Sequence, residues 1–139
     1  MMHRAKMVAI ALMTIAICAG TATAGSSWTP EKWEDGSTLR FQTTDVDRQE
    51  HWSTVWYVVL QGEVYVRLGS TAADLIDNNI KRPYVKVKIG TDQFEDVRAD
   101  PAPGMAATVA GAMADKYPMD FLFRYLPHPM TVRLRAASF

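Results

Sequence analysis

A single cysteine in 139 residues, at position 18, removes disulfide stapling and thiolate metal sites from the means by which this chain can hold itself together. Histidine is scarce too. His51 and His128 stand alone, with no H-x-x-H spacing and no carboxylate partner at ligand spacing, so neither reads as a metal ligand or a general base. An excess of charge of one sign is also missing: 15 Lys and Arg balance 15 Asp and Glu, which leaves no electrostatic footprint for nucleic acid. Ser26, Ser27, Ser53 and Ser138 lack the context of a nucleophile elbow. Asp45, Asp47, Glu50, Glu95 and Asp96 offer carboxylates, but no sequence spacing pairs them as acid and base. No internal repeat or low-complexity run is present.

Long apolar runs are limited to one, and it lies at the front. His3, Arg4 and Lys6 precede the apolar stretch Val8 to Gly20, and Ala22-Thr23-Ala24 stands before Gly25, the three-part pattern of a secretory signal peptide cut after Ala24. The stretch is short against the roughly 20 residues that span a bilayer; an uncleaved anchor is the alternative. Ile17 occupies the place before Cys18 where a lipidation site wants a small residue, and no twin arginine precedes the run. Cleavage removes the cysteine and two cations. The expectation is therefore a periplasmic or secreted domain with a slight acidic excess, no stable membrane span, and stability from core packing, within one subunit or shared with a second. Residues 1–24 form the signal, 25–37 an irregular arm carrying Trp28 and Trp33, and 38–139 the folded domain.

Within that domain, Thr38 to Thr43 alternates with Leu39 and Phe41 on one face, and His51 to Leu60 reads as a second strand. The unbroken apolar centre of the second strand, Val55 to Leu60, predicts cover on both faces. Gln61-Gly62 makes a two-residue turn into Glu63 to Leu68, where Val64, Val66 and Leu68 face inward. Thr71 and Asp74 fit the capping pattern [ST]-x-x-[DE] at the start of a short helix that Pro83 stops. Tyr84 to Ile89 alternates strictly, Phe94 to Ala99 is a fifth strand, and helical pieces follow over 105–116 and 119–126. Met130 to Ala136 closes the series. The class is β-rich α+β: a six-stranded antiparallel split β-barrel, with a short helix after strand 3 and a helical pair before the last strand.

Thr54 to Asn79 is the most informative stretch. A strand ending in Arg67, followed by Gly69-Ser70-Thr71 and a helix start, gathers a cation, two hydroxyls and backbone N–H groups as an anion requires. Lys86 and Lys88 extend this into a basic strip if strands three and four bring their outer faces together. The plainer readings are that Ser70 and Thr71 cap a helix, that the cations form a solvated face, and that Trp52 and Trp56 serve the core or a dimer contact.

The strings V-W-Y-V-V, L-Q-G-E-V-Y-V-R and P-Y-V-K-V-K-I, with A-D-K-Y and the closing M-T-V-R-L-R, resemble the pyridoxamine 5′-phosphate oxidase-like flavin-binding split barrels and their deazaflavin-using relatives, from about Leu39 to Ala136. The resemblance implies a homodimer that binds FMN or a deazaflavin between subunits and acts as an oxidoreductase on a small molecule. By position, Val55 and Trp56 would lie along the flavin ring, and Arg67, Ser70 and Thr71 would approach the phosphate; Lys86, from the basic strip, is counted with them as a cofactor-binding candidate. The chain departs from the family at 70–74, where Ser-Thr-Ala-Ala-Asp lacks the usual basic residue. A non-catalytic barrel that binds a small ligand or a protein and has lost the flavin site is the competing implication.

Overall fold

A computed structural model describes residues 27–119 and 128–137. Six strands alternate inward and outward side chains closely enough to close on themselves: β1 (Thr38–Thr44), β2 (Glu50–Leu60), β3 (Glu63–Leu68), β4 (Tyr84–Ile89), β5 (Asp92–Pro101) and β6 (Met130–Ala136). They form a closed barrel in the order β1-β2-β3-β6-β5-β4, every neighbour antiparallel. The period-two stretches put Leu39, Phe41, Val64, Val66, Val87 and Leu134 inside, each at most 2% exposed. Each such side chain contributes about 1.5–3 kcal/mol through its removal from water.

Tight turns set the register. Gln61 and Gly62 both take positive φ, 53° and 76°, as a two-residue type I′ hairpin requires between strands of right-handed twist. The β1–β2 turn is held by Asp45, whose Oδ1 accepts from the N–H groups of Asp47 and Gln49, both at 2.9 Å.

Among the described residues, two α-helices cover apolar surface of the barrel. Helix α1 (Ser70–Asp77) lies against β1 and β3 and sends Ala73 and Ile76 into the barrel core. Asn79, 4% exposed, fastens the chain that follows: its Oδ1 accepts from the N–H of Thr44 and of Lys81 at 3.2 Å, and its Nδ2 donates to the Tyr84 carbonyl at 2.8 Å. Helix α2 (Ala106–Lys116) covers the outside of β2 and β3, where Val109, Met113 and the following Tyr117 meet Val58 and Tyr65. The apolar centre of β2 is thereby covered twice. Val55, Tyr57 and Val59 face the barrel core, and Trp56, Val58 and Leu60 face α2.

Before β1, a 3-10 turn at Pro30–Trp33 presses indoles onto the barrel mouth. Trp28, Trp33 and Phe94 meet edge to face with centroids 5.0 to 5.7 Å apart. The helical piece expected over 119–126 lies, apart from Met119, outside the described residues. No helix among the described residues is long and apolar enough to cross a membrane.

Candidate functional site at the split between β2 and β3

Strand β2 changes partner along its length. Glu50 to Trp56 pair with β1, and Tyr57 to Leu60 pair with β3 from Tyr57↔Val66 to Leu60↔Glu63. The same register would next set Trp56 against Arg67 and Val55 against Leu68, yet no pair forms there. Instead β3 continues along β6, with Arg67 opposite Thr131, and turns at Gly69 into α1. The parting of the strands leaves Trp56 at the end of its β1 pairing, packed with the cluster under the second helix, while Arg67 leads through Gly69 into Ser70 and Thr71 at the start of α1. Val55, the neighbour of Trp56, turns its side chain to the opposite face, onto the barrel core.

The helix start differs from the sequence expectation. The N-cap is Gly69, in extended conformation and without a side-chain cap, so neither Ser70 nor Thr71 caps the helix. The first helical hydrogen bond runs from Ala73 N–H to the Gly69 carbonyl at 2.9 Å. The N–H groups of Ser70, Thr71 and Ala72 thus have no acceptor within the helix. Asp74 falls beyond the first turn, which contains no acid. Leu68 is fully buried as the last inward strand residue, and Gly69 holds an extended conformation before the helix begins at Ser70.

Lys86 is not part of this cluster. Strands β3 and β4 are separated by two strands in either direction round the barrel, so the basic strip of Arg67, Lys86 and Lys88 does not form on one subunit. A different strip exists. Arg40 and Lys88 are direct register partners, and both lie over the Trp52 ring, at 4.9 and 4.6 Å. His51 also has a partner after all: its Nε2 is 2.8 Å from Asp45 Oδ2, a contact made across the β1–β2 turn, and this bond lowers the pKa of Asp45.

Two residues beside the split were visible only as part of the A-D-K-Y string. Tyr117 stacks on Trp56, with centroids 4.5 Å apart and planes 8° from parallel. Its hydroxyl reaches the Ser37 carbonyl at 2.7 Å, donates to the Tyr57 carbonyl and accepts from the Tyr57 N–H at 3.2 Å. Burial pushes its phenol up to about 12. Lys116 donates to the same Tyr57 carbonyl at 3.2 Å and sits 4.5 Å from the Tyr57 ring, and burial lowers its pKa. Among the described residues no group of three or more His, Cys, Asp or Glu is placed to hold a metal ion.

No family model and no curated sequence matches the chain. Solved structures do. The heme storage protein HutZ from Vibrio cholerae superposes with a TM-score of 0.59 at 16% identity, over 78% of this chain and 88% of that one. A structure described as a domain-swapped dimer gives 0.56 at 14%, over 73% and 81%. An F420-H2 dependent reductase, FDR-A, gives 0.52 at 18%, over 72% and 94%. Likeness at these identities is likeness of fold, and the chain has the split-barrel fold of the FMN-binding and pyridoxamine 5′-phosphate oxidase-like proteins.

Proposed function

We propose that this is an exported, homodimeric split-barrel protein that binds FMN or a deazaflavin at the parting of β2 and β3 and serves as an oxidoreductase on a small molecule. The observation that carries the reading is the end of the β2–β3 ladder at Tyr57↔Val66, which leaves Arg67 beside a helix start with no acid in its first turn. A phosphate is suited by that combination of a guanidinium and N–H groups pointing along a helix axis. When bound, the cofactor supplies hydride or electron transfer. The chain supplies position: Arg67 and the Ser70 to Ala72 backbone for the phosphate end, and the edge of β2 near Trp56 for the ring. Structures of the same fold include a reductase that uses a deazaflavin and a domain-swapped dimer, which favours both the cofactor class and a second subunit. Export rests on the residue pattern of 1–24.

The test is reconstitution. The protein beginning at Gly25 is incubated with FMN, desalted and examined for the visible absorption of bound flavin. Retained colour with a stoichiometric cofactor supports the reading; a protein left colourless by both FMN and the deazaflavin overturns it. A second reading, a barrel without a flavin that binds another small ligand or a protein, draws on the stacking of Tyr117 over one face of Trp56, which a ring at that face would have to displace.

A further inference from the structure

The β4–β5 ladder contains one irregularity, and a cavity lies over it. Val85 pairs with Val97 and Val87 with Phe94, so Lys86 alone faces both Glu95 and Asp96, a β-bulge that turns two consecutive carboxylates to the outside. Above the bulge is a cavity of about 420 Å³, a size usual for small-molecule sites, lined also by Gln42, Thr44, Lys81 and Tyr84. Gln42 and Thr44 are each 7% exposed, and neither side chain has a hydrogen-bond partner among the described residues. Their polar atoms line the cavity and are open to it, so the amide and the hydroxyl can bond to whatever enters.

Charge narrows the choice. Two ammonium groups, Lys81 and Lys86, face two carboxylates, Glu95 and Asp96, with Lys86 Nζ 3.4 Å from Glu95 Oε1. An apolar ligand would leave Gln42 and Thr44 unsatisfied, and a dianion would meet the carboxylates of the bulge. A small molecule that carries an ammonium and a carboxylate on one carbon complements the whole lining. We infer that this cavity is a binding site for a small zwitterion of the amino-acid type, its carboxylate toward Lys81, Lys86 and the Gln42 amide, and its ammonium toward Glu95 and Asp96. The site is separate from the split, because Lys86 and Arg67 stand on strands that are not neighbours.

The experiment follows the side-chain NH₂ signals of Gln42 by NMR in isotopically labelled protein starting at Gly25, titrated with L-alanine, with acetate and with methylammonium. L-alanine shifts these signals saturably, and each single-charge compound binds at least tenfold more weakly. Gln42→Leu removes an amide that no protein hydrogen bond uses, on the outer face of β1, so the variant keeps its fold; followed at the Lys86 backbone amide, it binds L-alanine at least tenfold more weakly. Lys86→Gln, at a half-buried position, gives a like loss and serves if the first variant misfolds. No saturable shift with L-alanine, or equal affinity for acetate, overturns the inference. The titration repeated with excess FMN gives the same result, so failure here leaves the flavin reading standing.

Discussion

The indole of Trp56 and the phenol of Tyr117 lie face to face, 4.5 Å apart, although 61 positions of chain separate them. The stack fixes the end of α2 to the outside of β2 at the point where β2 leaves β3. Trp56 therefore belongs to the packing of the helix as well as to the edge of the split.

Tyr117→Phe keeps the stack and removes the hydroxyl that bridges Ser37 and Tyr57. The expected cost is about 1–2 kcal/mol, since the Tyr57 carbonyl retains Lys116 as a donor. The phenol's pKa is raised on folding from 10.0 to about 12, so the folded state favours its neutral form. That contribution is complete below about pH 10 and is lost as the pH rises toward about 12. Tyr57, raised by burial and then by Asp35, acts in the same sense, whereas Lys116, lowered by burial, acts in the opposite one. Denaturant unfolding at several alkaline pH values shows a smaller alkaline loss in Tyr117→Phe than in the parent. Equal losses would mean that Tyr117 does not titrate in this window.

Arg67→Ala separates the two ends of a flavin. FMN should bind about tenfold or more weakly, on the order of 1.4 kcal/mol, while riboflavin, which has no phosphate, is barely affected. Isothermal titration with both compounds gives the comparison, and a matching loss for riboflavin would place the phosphate elsewhere.

Gly36→Ala strains the barrel mouth. A Cβ there would lie 2.2 Å from the Tyr57 hydroxyl, which donates to the Trp33 carbonyl. Overpacking of this kind costs about 1–3 kcal/mol. Thermal melts that show no decrease would indicate that the 30–37 segment shifts freely.

Asn79→Ala removes three hydrogen bonds to backbone groups of Thr44, Lys81 and Tyr84 at once. A loss of about 2–4 kcal/mol is expected, and hydrogen exchange should quicken first at Thr44 and along the start of β4. Exchange unchanged at both places would show that α1 is held by Ala73 and Ile76 alone.

Export has its own test. Expression of the whole chain in a Gram-negative host should yield a periplasmic product whose first residue is Gly25, identified by mass spectrometry. Full-length protein retained in the membrane would favour the uncleaved anchor.

Strands were readable because a barrel wall imposes a period of two, and Val64, Val66, Val85 and Val87 keep it without exception. The double cover of β2 was also readable, from an apolar run that one buried face does not explain. Strand order was not. Nothing in the residues of β1 names β4 as its second partner, so the sequence neither sets Arg40 beside Lys88 nor separates Arg67 from the lysines of β4. Thr71 and Asp74 match a capping pattern, yet Gly69 takes the N-cap position and the helix begins at Ser70. Arg67, Ser70 and Thr71 stand out in the sequence through the strand-to-helix pattern, and Trp56 only through the family resemblance. Tyr117 does not, since stacking between distant rings leaves no spacing to read.

The placement of the four tryptophans makes the protein its own spectroscopic probe. Trp28 and Trp33 share a ring cluster at the mouth, Trp56 flanks the split, and Trp52 lies beneath two cations as the register partner of Gln42. Emission from Trp56 would respond to a chromophore at the split by energy transfer, and emission from Trp52 to a change of charge at the bulge. Single-tryptophan variants would thus turn occupancy of two sites into two independent optical signals.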